Sequence, residues 1–382
     1  MKKSLITFAL ISAVSGVASA DDVTLYGRAD LGLVYTHNEF KQGTQSTKSH
    51  AFSMESGNGG ASRFGLTGNE RLGNGTTINF VLENGFEADS GELTGGAEGR
   101  LFDREASIAI IGSYGALRVG RMATILSDAG SMGYFATAVN PFGTGWGTDI
   151  ASHTNLFANQ IGVMDNVVGY ISPTLGGLTV YGQYGMGAQE QENKATSDRY
   201  AALGLKYAAG AFELAGAVDW TNKKSVDGTQ ANSLKDVKDA ITINLGGSYD
   251  FGVVKTYATA QYFKNASDVA SLAKSASELQ FTSGPIALNN AEGFGLAFAA
   301  SLPLGAGRAL FSTGMMDGDL ESAGVTTDLY AFAVSGAYTY SLSKRTTLYA
   351  ALGYIHKKLE QKSHQAADLT THQAALGMIN TF

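Results

Sequence analysis

Apolar and polar residues alternate with a period of two along most of this chain. From Val23 to Tyr35, Val23, Leu25, Gly27, Ala29, Leu31, Leu33 and Tyr35 share one parity, and Thr24, Tyr26, Arg28, Asp30 and Gly32 share the other. That is a strand with one apolar or small face and one mostly polar face. The pattern returns at Ile78, Phe80 and Leu82 against Thr77, Asn79 and Glu83, and at Phe212, Leu214, Gly216, Val218 and Trp220 against Glu213 and Asp219. Ile241, Ile243 and Leu245 oppose Thr242 and Asn244, and Tyr330, Phe332, Val334, Gly336, Tyr338 and Tyr340 form a late apolar row. The periodicity predicts strands near 23–35, 62–69, 76–86, 102–112, 115–121, 166–172, 177–184, 198–208, 211–220, 240–249, 252–263, 291–302, 307–315, 328–340, 346–354 and 372–382. The total is about sixteen, an even number that lets an antiparallel barrel close.

The connections sort by length. Short turns such as Arg71-Leu72-Gly73-Asn74-Gly75, Gly112-Ser113-Tyr114-Gly115 and Leu342-Ser343-Lys344-Arg345 alternate with longer polar segments at 36–61, 87–101, 122–165, 185–197, 221–239, 264–290 and 355–371. Short periplasmic turns on one rim and long external loops on the other are what an outer-membrane barrel shows. In hydrocarbon every backbone donor and acceptor must be paired, so a spanning sheet closes on itself and turns apolar residues to lipid. The polar parity then faces water inside.

Composition agrees: 49 glycines, 17 tyrosines and 19 phenylalanines with four prolines favour an all-β chain. The first residues change the accounting. Met1-Lys2-Lys3, an apolar run from Leu5 to about Val17 and Ala18-Ser19-Ala20 ahead of Asp21-Asp22 form an export signal with a small-residue cleavage site. Residues 1–20 are therefore set apart from a barrel domain at 21–382. Removing them takes two lysines and no acid, moving the formal charge from −7 to −9, which argues against a nucleic-acid partner. The chain has no cysteine, so no disulfide or thiolate metal site is available. No later stretch is apolar for long enough to cross a bilayer as a helix.

Several short motifs, in order along the whole mature chain, resemble the trimeric general porins of proteobacteria. They are Val23-Thr24-Leu25-Tyr26-Gly27-Arg28-Ala29-Asp30, Ser62-Arg63-Phe64-Gly65-Leu66-Thr67-Gly68, Leu82-Glu83-Asn84-Gly85-Phe86, Leu101-Phe102-Asp103-Arg104-Glu105-Ala106, Val119-Gly120-Arg121, Asp165 through Pro173, and Tyr340-Ser341-Leu342-Ser343-Lys344-Arg345-Thr346. The resemblance implies a sixteen-stranded homotrimeric barrel in outer-membrane lipid and lipopolysaccharide. It also implies passive diffusion of small hydrophilic solutes and ions, and a third external loop folded into the lumen as a constriction. That loop follows Arg121 and carries Asn140-Pro141-Phe142-Gly143, a variant of the family's constriction-loop turn without its acid. The row Ala374, Leu376, Met378 and Phe382, interrupted by Asn380, resembles the C-terminal assembly signal of outer-membrane proteins.

Family eyelets set wall arginines against loop carboxylates, and the field between them orients solutes and selects ions. By motif Arg63 and Arg104 match wall arginines; Arg28 and Arg118 lie on lumen parity, and Asp128 and Asp149 are the loop carboxylates. Arg104 shares parity with Ile108 and Ile110, so alternation points it outward unless a bulge or a place above the bilayer intervenes. Relatives often carry an arginine before the Asp-Asn pair, where this chain has Met164. His37, His50, His153, His356, His364 and His372 are scattered with no zinc-protease spacing, and calcium-loop and phosphate-loop patterns are absent. No cofactor, metal or catalytic residue is expected. A barrel acting as a hydrolase with groups gathered from distant strands, or as a surface adhesin through its loops, is the alternative.

Overall fold

The computed structural model describes residues 22–382 except 96–98, 147–148, 151–155, 159–161, 188–198, 223–237, 267–268, 270–289, 323–324 and 362–365. The expected export signal lies outside the described residues. The strands are β1 (Asp22–Gln42), β2 (Gln45–Ser56), β3 (Arg63–Gly73), β4 (Thr76–Gly85), β5 (Glu105–Gly112), β6 (Gly115–Ala123), β7 (Val163–Ile171), β8 (Leu178–Gly185) and β9 (Arg199–Ala209). They continue with β10 (Phe212–Asn222), β11 (Ala240–Asp250), β12 (Lys255–Ala266), β13 (Ala291–Leu304), β14 (Gly307–Ser322), β15 (Val325–Ser341), β16 (Thr346–Gln361) and β17 (Ala367–Thr381). One short helix, α1 (Phe135–Val139), sits between β6 and β7.

Apart from β2 and β3, which both pair with β1, each strand pairs antiparallel with its sequence neighbours, and β17 returns to β1 in the register Gly32↔Gly377 and His37↔His372. The last ladder bonds join Gly27 and Phe382 in both directions at 2.9 and 3.0 Å. On its other side β1 pairs with β3 over Asp22–Arg28 and with β2 over Leu31–Gln42. β2 and β3 are thus two halves of one stave, and the closed antiparallel barrel has 16. Asp30 organises the break between the halves. Its buried carboxylate accepts the Gly59 and Gly60 amides at 2.6 and 2.8 Å and the Tyr349 hydroxyl at 2.8 Å, satisfying donors that no ladder reaches.

The two faces separate as the alternation requires. Leu203 and Leu205 on β9, Leu214 and Val218 on β10, Ile243 and Leu245 on β11, and Leu296 and Phe298 on β13 are exposed on the outside. Asp219, Thr242, Asn244, Thr259 and Gln261, on the opposite parity of β10 to β12, are buried inside. The tight turn at Asn74-Gly75 places both residues at positive φ, 45° and 79°, where asparagine and glycine are tolerated and other side chains are strained.

Two segments expected as loops are largely strand. Residues 36–61 contain the end of β1 and all of β2, and residues 355–371 contain the end of β16 and the start of β17. Beyond the hydrocarbon both faces of a strand meet water, so Glu39 and Lys41 can point outward and the apolar row disappears while the backbone ladder continues. Alternation marks the membrane band, not the strand.

The face assignment has a direct consequence. Leu245→Arg, on the lipid side of mid-β11, is expected to cost about 2–4 kcal/mol in urea unfolding from lipid vesicles. A loss below about 0.5 kcal/mol would place Leu245 in water and reverse the face assignment.

Candidate functional site

The connection from β6 to β7 bonds to inward side chains of β8, β12, β14 and β17. Starting at β8, the Ile125 amide donates to Gln183 Oε1 at 2.9 Å, and Gln183 Nε2 donates to the Ala123 carbonyl at 2.8 Å. Further round, Thr259 Oγ1 of β12 donates to the Val139 carbonyl at 3.1 Å, and Asn140 Nδ2 donates to Ser312 Oγ of β14 at 3.4 Å. The Asp149 amide reaches Gln373 Oε1 of β17 at 3.1 Å, and the Ala158 amide reaches Gln261 Oε1 of β12 at 2.6 Å.

Apolar packing supports these bonds. Met122, Ile125, Leu126, Met132 and Phe135 bury against Val167, Ala215 and Ala217, while Phe142 and Trp146 bury against Val34, Tyr349 and Ala351. Each large side chain so buried contributes about 1.5–3 kcal/mol. Tyr134 stacks on Tyr181 with ring centroids 4.0 Å apart and donates its hydroxyl to the Gly216 carbonyl at 2.8 Å. Its ring sits where a Cβ at Gly204 would collide with it. Burial, then the neighbouring Tyr181, pushes the Tyr134 phenol above its ordinary range, so it stays a protonated donor.

Between this connection and the wall of β1 to β5 lies a cavity of about 880 Å³. Tyr26, Arg28, Arg63, Glu83 and Arg104 line it on the wall side, and Asp128 and Thr144 line it on the other. Glu83 is the hub. Its Oε1 is 2.7 Å from Arg104 Nε, and its Oε2 lies 3.4 Å from Arg63 Nε and accepts the Tyr26 hydroxyl at 2.9 Å. Buried among three donors, this one carboxylate holds two guanidinium groups that would otherwise repel.

Arg104 reaches the cavity despite its parity because it lies in a bend just before β5, where alternation does not apply; its amide bonds to the Glu83 carbonyl at 3.2 Å. Arg28 reaches across to Gly60, and its Nε has no hydrogen-bond partner among the described residues. Asp128 is exposed and accepts the Thr144 hydroxyl at 3.0 Å and the Thr144 amide at 3.1 Å, latching the turn that includes Gly143.

Arg28, Arg63, Arg104 and Asp128 are therefore brought together. Arg118 and Asp149 are not. Arg118 points inward but lies flat on the wall, bonded to Asn79 Oδ1 at 2.7 Å, Ser107 Oγ at 2.8 Å and Glu105 Oε1 at 3.4 Å. Glu105 also takes the Ser131 amide and hydroxyl at 2.9 and 2.7 Å, so its charge is spent within the wall and the connection. Asp149 sits beside β16 and β17, further round the wall past β1, and does not line the cavity. A second ion cluster was not expected: Asp165, next to Met164, bonds Arg121 Nη1 at 2.7 Å and Arg100 Nη1 at 2.8 Å. Arg100 falls in a long polar segment with no period to mark it.

The family model for the Gram-negative porin matches residues 7–359. An outer membrane porin protein of Bordetella pertussis is 33% identical over 93% of this chain and 94% of its own. The outer membrane porin protein 32 of Delftia acidovorans is 27% identical over 94% and 90%. Among solved structures, the anion-selective porin from Comamonas acidovorans superposes with a TM-score of 0.68 at 20% identity, covering 94% of this chain and 99% of that one. Salmonella typhi OmpF gives 0.62 at 18% identity over 94% and 97%. With a closed barrel, an apolar exterior and a polar, charged interior already in place, the chain belongs to the Gram-negative porins: it is an outer-membrane channel for passive diffusion of small hydrophilic solutes and ions.

Proposed function

We propose that the cavity between the β6–β7 connection and the arginine wall is the narrowest part of this channel, and that it favours anions. The observation that carries this is the grouping of Arg28, Arg63 and Arg104 at one cavity: Glu83 pairs with Arg63 and Arg104, the second wall carboxylate, Glu105, is engaged by Arg118 and Ser131, and Asp128 is turned into its own latch with Thr144. Selection at a pore is set by the charges at its narrowest point, where low-dielectric walls focus the field, so the overall charge of −7 does not decide it. Side-chain and backbone bonds to β5, β8, β10, β12, β14 and β17 hold the connection in place. The solved neighbour from Comamonas acidovorans, described as anion-selective, supports the same reading.

A homotrimer is the assembly this reading carries, supported by the structural neighbour OmpT of Vibrio cholerae, which is described in a trimer form. The exposed apolar band faces outer-membrane lipid, with lipopolysaccharide at the external rim. Residues 1–20 direct export and are removed. The channel does no turnover chemistry, in keeping with its family and fold.

Two substitutions test the eyelet in planar bilayers under a KCl gradient. The wild type is expected to show stepwise conductance with a zero-current potential on the anion side. A unit charge about 4 Å from a passing ion is worth about 1 kcal/mol in water, or about fivefold in partition. The triple change R28Q/R63Q/R104Q is therefore expected to lower the chloride-to-potassium permeability ratio at least about fivefold. Glu83→Gln unmasks its two guanidinium groups and is expected to raise that ratio by up to about fivefold. A wild type on the cation side, or a ratio that neither change moves, would overturn the proposal.

A further inference from the structure

Three histidines that neither the pore nor the barrel closure uses stand side by side on the outer face. In the ladder His37 of β1 is directly opposite His372 of β17 on one side and His50 of β2 on the other. All three lie on the outward parity, with Leu33 and Tyr35 on β1, Phe52 and Met54 on β2, and Leu376 and Met378 on β17. One row towards the apolar band are Phe52, Tyr35 and Ala374; one row towards the external end are Lys48, Glu39 and Thr370, with Lys48 Nζ 3.4 Å from Glu39. The imidazoles thus form the first row beyond an aromatic edge, where water and dissolved ions reach them.

The hydrogen bond of His37 fixes which of its nitrogens is available. His37 Nδ1 is 3.2 Å from the Ser49 carbonyl, which can only accept, so Nδ1 carries the hydrogen and Nε2 keeps its lone pair. His50 Nδ1 lies 2.8 Å from the Tyr35 hydroxyl, which serves as either donor or acceptor. An Nδ1–H given to a carbonyl with the Nε2 lone pair left over, as in His37, is the arrangement a metal-ligating histidine adopts.

We propose that His37, together with His50 or His372, binds a divalent transition-metal ion that prefers imidazole, such as Zn²⁺, Cu²⁺ or Ni²⁺. As they stand, the rings of His37 and His50 stack with centroids 4.4 Å apart, and those of His37 and His372 lie 6.0 Å apart. Among the described residues no group of three metal-ligating side chains is set to hold an ion. The site is therefore a two-imidazole one that forms when neighbouring rings turn out of the stack. Directly opposed residues carry Cβ atoms about 4.5–5.5 Å apart, a span that lets two Nε2 atoms meet one ion at about 2.0–2.1 Å, with water completing the shell. Oxygen-seeking cations find no free carboxylate in this row, because Glu39 is engaged by Lys41 and Lys48 at 3.0 and 3.4 Å. His356, on β16, is drawn instead to Thr370 Oγ1 at 3.3 Å and Asp368 at 3.4 Å.

The test uses the full-length, untagged porin purified in detergent. Zn²⁺ is titrated by calorimetry, and Cu²⁺ is followed by electron paramagnetic resonance for nitrogen couplings. One site per chain with at least two coordinated imidazole nitrogens is expected. Losing even an outer partner of a ligand costs about 10–100-fold, so His37→Asn should weaken binding by at least about tenfold. His356→Asn should leave binding unchanged. Bilayer conductance of each variant verifies that the barrel is intact, because the row faces away from the pore. No wild-type binding, or binding that survives in the conducting H37N variant, would overturn the proposal.

Discussion

Hydrocarbon gives a backbone N–H or C=O no partner, and each unmet group costs several kcal/mol, so β17 has to find β1. The register Gly32↔Gly377 and the paired bonds between Gly27 and Phe382 meet that demand. Once the sheet is closed, the pleat sends alternate side chains outward and inward, and the outside must be apolar while the inside is free to hold charge. The broken second stave is the exception that shows the rule. Where β2 and β3 part, the backbone amides of Gly59 and Gly60 turn to the carboxylate of Asp30.

The closed wall then serves as a scaffold for a connection that has no ladder of its own. Residues after β6 use inward amides and hydroxyls, among them Gln183, Thr259, Gln261 and Gln373, as hydrogen-bond partners, and cover small or apolar patches with Phe135, Phe142 and Trp146. This leaves one side of the interior occupied and the other lined by guanidinium groups. Like charges placed so close need a shared counter-charge, and Glu83 supplies it. The arginine cluster is thus a product of positioning: Arg63 and Arg104 stand together because the buried carboxylate of Glu83 pairs with both.

Much of this was legible from residue order alone. Period two marks the membrane-spanning part of each stave, lumen parity points Arg28 inward, and the family motif marks Arg63 as a wall residue. The hidden parts were those where alternation loses its cause. β2, with Lys48 and His50 facing water on its outer side, reads as a polar loop because no lipid demands an apolar row there. Arg104 reads as outward because parity was carried into a bend where it does not hold. Arg118 has the right parity but spends its guanidinium on the wall, and no pattern in one dimension distinguishes a side chain lying flat from one reaching into the pore. Glu83 as the partner of Arg63 and Arg104 depends on three strands lying side by side, which only the register shows.

A disulfide between the β6–β7 connection and the inner wall opposite the arginines can form only if the two are in contact. The chain has no cysteine, so an introduced pair is unambiguous. A Cβ built on Gly246 of β11 would lie 3.1 Å from the Val139 Cβ, slightly inside the roughly 3.5–4.5 Å of a relaxed disulfide. In the folded double variant V139C/G246C, mild oxidation is expected to join the two cysteines while ion conductance persists. Free thiols in a folded, conducting barrel would contradict the account and place the connection away from the wall.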